Sequence, residues 1–221
     1  MSHQVCWVVS PGYKPGARWA SLCLRRPARI ILHAQSANCV LHGMNCNIRA
    51  ASQADITAIA HVARETWPAT YAHSVAAHNQ RQVLERSYGI ESLAAAIAAK
   101  PAWFYVAEAD AQVVAFAQFM SRPDGYVELA RIYVLPDYQR IGIGRALLAA
   151  GAADIEDAGA PLCFVSVEVD NSDALAFYRR FGFRRNRAHA SFLGDQIVRL
   201  IELKAFVHDI NRSALQVRPK Q

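Results

Sequence analysis

Residues 139–144, Gln-Arg-Ile-Gly-Ile-Gly, stand where an apolar strand pattern, Val127 to Val134, passes through Leu135-Pro136-Asp137 into a helical pattern. Glycines at a helix entry remove the Cβ atoms that would hold a ligand away from the backbone. The first turn adds unpaired N–H donors and the positive end of the helix dipole, so the loop suits a diphosphate. A tight strand-to-helix turn with no ligand is the competing reading. The dinucleotide fingerprint needs a third glycine, and a P-loop needs Gly-Lys-Ser/Thr where this chain has Gly144-Arg145-Ala146. Neither pattern fits. The eight histidines show no metal-ligand spacing, no cysteine pair has Cys-x-x-Cys spacing, and no metal is expected.

A second stretch lies about 27 residues downstream, Val167-Glu168-Val169-Asp170-Asn171 followed by Ala174, Phe177-Tyr178 and Gly182-Phe183. Singly, Asn171 could cap a helix, Phe177 could fill a core and Gly182 could end a helix. Gln-x-x-Gly-x-Gly after a strand, together with this Asn…Ala-x-x-Phe-Tyr…Gly-Phe run, resembles the GNAT superfamily of acetyl-CoA-dependent N-acetyltransferases. The resemblance implies an α/β domain of α+β type. Its mixed, mostly antiparallel twisted sheet would be splayed at the central strands and flanked by helices. It also implies acetyl-CoA as cosubstrate and transfer of its acetyl group to an amine.

By position within the family pattern, the backbone of Ile132 falls at the oxyanion donor, and Val134 would pair with the pantetheine arm as an added strand. Gln139, Arg140, Ile141, Gly142, Ile143, Gly144 and Arg145 would hold the pyrophosphate, and Asn171 would fix the pantetheine from the other side. Tyr178 is the candidate general acid, since a phenol with pKa near ~10 stays protonated and can donate to a thiolate. Glu128 is the candidate base or substrate anchor. It lies eleven residues before Gln139, the spacing of the catalytic glutamate in some GNAT enzymes. Strand alternation would put Glu128 and Ile132 on one face. Val127, Leu129 and Ala130 would desolvate its carboxyl. Trp67 and Tyr71 are candidates for the acceptor wall, with core packing as the alternative. His61, His73, His78 and His189 could touch a substrate, with surface placement as the default, and Glu168 and Asp170 are weaker candidates flanking the opening.

Arg-Glu-Thr-Trp at 64–67, the run from Glu128 to Pro136, and Arg-Ala-His-Ala-Ser-Phe-Leu-Gly-Asp at 187–195 look like bacterial spermidine/spermine-type acetyltransferases. The last strand follows Asp195 after a shorter polar loop than that branch usually carries. The implied acceptor is a primary amine, a polyamine or another small cationic amine. Acetylation of a protein N-terminus or lysine is the alternative enzymatic reading, and a non-catalytic acyl-CoA-binding module is the third. Expected partners are a small-molecule amine, with no nucleic acid and no membrane; a homodimer stays open.

The elements that must position these residues occupy one long stretch of the chain. At 221 residues and 53% apolar composition, the sequence can bury one substantial core. No apolar run reaches the ~18–20 residues of a membrane span. The net charge of +6 is uneven. Residues 1–46 hold five basic and no acidic residues, which leaves 19 basic and 18 acidic residues for the rest and no basic footprint for nucleic acid there. The distribution of Cys6, Cys23, Cys39, Cys46 and Cys163 fits a reduced, cytoplasmic setting. Residues 1–45 read as an extension, disordered or foreign to the native protein, with Met44 as a plausible true start. The acetyltransferase domain is expected over 46–208 and a tail over 209–221.

Within the domain, Ser52 and Asp55 form a capping-box start. The helix that follows is expected to end at Pro68, with further helices near 75–87 and 91–99. An antiparallel hairpin is expected over 103–120, turning at 109–111. The loop strand, a helix over 143–158, a strand over 162–169, a helix over 171–180 and two closing strands complete the order.

Overall fold

The computed structural model describes residues 37–41 and 44–216, with side chains from Asn45 to Ala214. The expectation for residues 1–36, 42–43 and 217–221 lies outside the described residues. Eight strands are described: β1 (Ala37–Leu41), β2 (Met44–Ala50), β3 (Phe104–Ala109), β4 (Gln112–Ser121), β5 (Val127–Val134), β6 (Leu162–Glu168), β7 (Arg184–Leu193) and β8 (Gln196–Phe206). They form one sheet in the order β1-β2-β3-β4-β5-β6-β8-β7. All neighbours are antiparallel except β5 and β6, which are parallel. That central pair holds register only at Val127↔Cys163 and Glu128↔Phe164. Beyond it the strands separate, and the sheet opens into a V between residues 129–134 and 165–168.

The helices are α1 (Ile56–Tyr71), α2 (Ala77–Tyr88), α3 (Ile90–Ala98), α4 (Ile143–Asp157), α5 (Ser172–Arg180) and α6 (Val207–Gln216). The α1 start follows the sequence signature. Asp55 accepts from the backbone N–H and hydroxyl of Ser52 and receives a fork from Arg49 at 2.8 Å through both guanidinium nitrogens. Those bonds outweigh burial and push its pKa down to about 2. The helix does not stop at Pro68. It runs three residues further, because Trp67 and Tyr71 bury their rings in the core and offset the hydrogen bond that proline lacks. The hairpin between β3 and β4 turns through Asp110 and Ala111, both with positive φ, the geometry of a two-residue turn between twisted strands.

Helices α1 and α2 cover one face of the central strands. The Trp67, Tyr88, Phe116 and Tyr133 rings meet there, with centroids 5.5–6.5 Å apart. Helix α4 covers the other face. Asp154 accepts from the Tyr105 hydroxyl at 2.5 Å, and the Phe119 ring lies against Gly151. Two described elements fall in spans read from sequence as tails. Strand β1 pairs with β2, and α6 packs Val207, Ile210 and Ala214 into the core beside α4. Cys163 is buried, its thiol pushed up to about 12 by desolvation, as suits a small core residue. Among the described residues, no helix is long and apolar enough to cross a membrane, and no group of three His, Cys, Asp or Glu could hold a metal.

Candidate active site at the splayed strands

The hydrogen-bond register of β5 fixes what faces the gap. Leu135 N–H donates to the Val114 carbonyl at 2.9 Å, so Ala115↔Val134 is a non-hydrogen-bonded pair. By the same alternation Ile132, opposite Ala117, is another. Both residues therefore direct their peptide groups away from β4 and into the opening. The Val134 carbonyl accepts from the Gln139 side chain at 2.9 Å. The amide of Gln139 thus ties the loop to the strand instead of facing a cradle of N–H groups.

After Val134 the chain makes a short 3-10 turn over Pro136–Tyr138 and reaches α4 through two left-handed residues, Arg140 at φ 63° and Gly142 at φ 104°. Such alternation turns successive N–H groups inward and forms an anion-binding concavity. A non-glycine residue in this region costs about 1–2 kcal/mol, and such strain gathers at ligand clamps. Gly144 differs from Gly142. Its backbone needs no special conformation, and a Cβ there would lie 3.6 Å from the Phe177 ring, an ordinary contact. The protein alone would accept a side chain at 144, so neither backbone conformation nor packing among the described residues requires a glycine there.

Asn171 caps α5, its side-chain oxygen accepting from Ala174 N–H at 3.0 Å. Tyr178 is fully buried on that helix, between Phe177 and Phe183. Trp67 and Tyr71 are buried too, their ring centroids 4.4 Å apart. Both belong to the aromatic core under α1 and α2 rather than to an open wall. The Trp67 indole nitrogen and the Tyr88 hydroxyl are buried with no hydrogen-bond partner among the described residues.

The expectation that Glu128 and Ile132 share a face is overturned. Gln118 pairs with Arg131 and Phe119 with Leu129, which leaves Ala130 as an extra residue in β5. This bulge reverses the side-chain alternation. Ile132 and Leu129 point with Phe119 toward α4. Glu128 points with Met120, Gln118 and Arg131 toward α1 and α2. The expected desolvating neighbours Val127 and Leu129 thus lie on the other face, and what stands near Glu128 is Arg122. Burial works against the charge of Arg122, but Asp124, Glu202 and Glu128 more than offset it.

Glu128 shares its face with Phe164 across the parallel pair, and hence with Ser166, Glu168 and, on β8, Glu202. No motif or spacing singles out Glu202 in the sequence. It is nearly inaccessible, and it accepts from Asn186 at 2.6 Å, from Arg122 at 3.1 Å and from Arg187 at 3.0 and 3.3 Å. Burial would raise its pKa, but these bonds hold it below the ordinary carboxylate range. His189 stands one strand further out, on the rung of Glu168 and Leu200. His61 and His73 are exposed, and His78 contacts Asp195 at 3.1 Å.

Comparison with known proteins gives this arrangement a context. Residues 100–185 match the acetyltransferase (GNAT) domain family. The mycothiol acetyltransferase of Streptomyces coelicolor is 36% identical over 86 residues, which are 38% of this chain and 27% of that protein. The chain therefore spans about a quarter of the length of that relative. The spermidine N(1)-acetyltransferase of Thermoplasma acidophilum is 28% identical over 145 residues, 64% of this chain and 89% of that one. Among solved structures, the PaiA N-acetyltransferase of the same organism, in complex with coenzyme A, superposes with a TM-score of 0.62 at 26% identity. That match covers 71% of this chain and 97% of the other. The V-shaped opening and the glycine loop at its edge both lie within residues 100–185, the stretch that matches the GNAT acetyltransferase domain family.

Proposed function

We propose that this protein transfers the acetyl group of acetyl-CoA directly to a primary amine of a small cationic molecule, with polyamines among its acceptors. The observation that carries this reading is the gap itself. Ile132 and Val134 direct peptide groups into it, and the loop with Arg140, Gly142 and Gly144 stands at its edge. Acetyl-CoA supplies the activated acyl group, and every other requirement falls on this chain. The loop N–H groups from Ile141 to Arg145 bind the pyrophosphate at the α4 start, and Arg140 and Arg145 add positive charge at the rim. Val134 N–H pairs with the pantetheine arm, and Asn171 lies on the opposite wall. Ile132 N–H stabilises negative charge developing on the carbonyl oxygen, where a preorganised donor is most effective. Tyr178 supplies the proton for the departing thiolate. Glu128, on the acceptor face, attracts the incoming ammonium and takes up its proton.

The test is coenzyme-A release with a panel of primary amines and free peptide N-termini, alongside the Gly142→Asp variant. Turnover with amines and roughly hundredfold weaker acetyl-CoA binding in the variant are expected, since a carboxylate would enter the diphosphate site. Unchanged acetyl-CoA affinity in the variant would remove the basis for this site. Binding of acetyl-CoA without turnover on any amine would leave a non-catalytic acyl-CoA module.

A further inference from the structure

Two carboxylates on the acceptor face have opposite surroundings. Glu202 is enclosed by two arginines and an asparagine. Glu168, on the same face at the open end of β6, is partly buried and accepts one side-chain hydrogen bond, from the Ser74 hydroxyl at 3.0 Å. Among the described residues no Lys, Arg or His stands within ion-pair reach of it, and the nearby Asp170 pairs with Arg199 at 3.6 Å. A half-buried carboxylate without a counter-charge is unfavourable unless a ligand supplies one. Burial raises its pKa; Ser74 opposes that, and Asp170 adds to it.

The β7–β8 hairpin and the loop between α1 and α2 meet beside Glu168. Val169 N–H still donates to the Arg199 carbonyl at 3.1 Å, but residues 196–198 of β8 pair with β7 alone, so the β7–β8 hairpin overhangs the end of β6. Its tip is tied to the loop between α1 and α2. The Gln196 side chain donates to the Ser74 carbonyl at 2.5 Å and accepts from Ala76 N–H at 3.0 Å. Asp195 accepts from Asn79 at 2.7 Å and lies 3.1 Å from His78. Gly194, at φ 65°, has no room for a Cβ beside the Asn79 side chain. The α1–α2 loop belongs to the arm of the V that holds β5, and the hairpin to the arm that holds β6, so the tie spans the opening. Glu128 lies at the vertex and Glu168 at the mouth. They are separated by four residues of β6, about 13 Å along the strand. The buried His189 Nδ1, two strands over on the same rung, has no hydrogen-bond partner among the described residues.

We infer that Glu168, held by Ser74 under this bridge, is a specificity-determining residue that receives a second cationic centre of the acceptor, so that the substrate is a linear aliphatic amine with two positive groups. An ammonium has three donors, and the Glu168 oxygens with the Ser74 hydroxyl provide acceptors for them. The reactive amine then lies deeper, toward Glu128. This inference rests on the amine-acetyltransferase reading of the same gap.

The test compares α,ω-diamines of four to eight carbons with monoamines of equal length, at saturating acetyl-CoA, in the wild type and in Glu168→Gln. The wild type should prefer diamines. The variant should lower kcat/KM for a diamine roughly ten- to a hundredfold more than for its monoamine, mainly through KM, as expected when a charge-assisted hydrogen bond is lost. Ser74→Ala, which keeps the charge, should shift the same ratio only severalfold. An equal fall for both amine classes, an unchanged ratio, or a preference for peptide N-termini that survives Glu168→Gln would overturn the assignment. If acetyl-CoA binds but no amine turns over, the transfer reading fails by itself. Calorimetric titration of the diamine into the coenzyme-A-loaded protein then decides on Glu168. Binding lost in the variant supports it; equal binding in both, or none in the wild type, overturns it.

Discussion

On the α4 side of the gap, nearly everything the proposed cofactor needs comes from one uninterrupted stretch, residues 132–145. On the opposite side the groups come from Ser74, Glu128, Glu168, His189 and the 194–196 turn, and the Gln196–Ser74 contact joins residues 122 positions apart. The first side is a local device: a strand end, a turn with left-handed residues, a helix start. The second exists only when two arms of the sheet are brought together. A contiguous device tolerates change elsewhere in the protein. An assembled one varies with every loop that contributes to it, so acceptor choice can drift while the cofactor loop stays the same.

The largest effect should come from the proposed general acid. Tyr178→Phe keeps the buried ring but removes the hydroxyl. It should lower kcat by about 10²–10⁴-fold with acetyl-CoA affinity nearly intact. Steady-state kinetics with a confirmed acceptor reads this directly, and full activity would remove Tyr178 from the chemistry.

Gly194→Ala should separate the two sides. The left-handed backbone costs an added Cβ about 1–2 kcal/mol, and Asn79 must also move. Thermal stability should fall and the acceptor KM should rise, while the dissociation constant for acetyl-CoA stays near the wild-type value. A matching loss of acetyl-CoA affinity would show that the sides are not separable.

Acid should act on the acceptor-side anchor of α1. Asp55 is held down to about 2 by Arg49, so the native state binds its proton less readily than the unfolded chain. That stability is present above the unfolded carboxylate pKa of about 4 and is lost as pH falls toward 2. It amounts to about 2 kcal/mol. Asp55→Asn should reduce stability at neutral pH by a similar amount and flatten the acid limb of the melting-temperature profile. An unchanged acid limb would mean that other carboxylates set it.

The smallest change in stability belongs to Gly144→Ala. A helical glycine replaced by alanine should leave the ligand-free protein as stable as before, or more stable by up to about 1 kcal/mol. Acetyl-CoA binding should nonetheless weaken severalfold, as measured by calorimetry. Full affinity would mean that the glycine at 144 answers to no ligand.

Much of the fold follows from short-range signals. The Ser52–Asp55 start of α1, the two-residue turn at Asp110-Ala111 and the Asn171 cap each need only neighbouring residues, and each is present. Pro68 misleads because a proline ends a helix only when nothing holds the next turn, and here the Trp67 and Tyr71 rings do. Helix α6 escapes because its three buried residues acquire a core face only beside α4.

The sequence by itself determined the glycine loop, the Asn171-to-Phe183 run and the order of strands and helices from β2 to β8, because these depend on backbone conformation over a few residues. The tertiary structure alone decided which face Glu128 takes, since one extra residue at Ala130 reverses the alternation and bulges leave no mark in composition. It alone decided that Glu202 is neutralised by Arg122 and Arg187 while Glu168 accepts from the Ser74 hydroxyl, and that the hairpin tip is tied to the α1–α2 loop. Those are long-range contacts between charged and polar groups. Their partners are chosen by how the two arms of the sheet meet, and no spacing along the chain encodes that meeting.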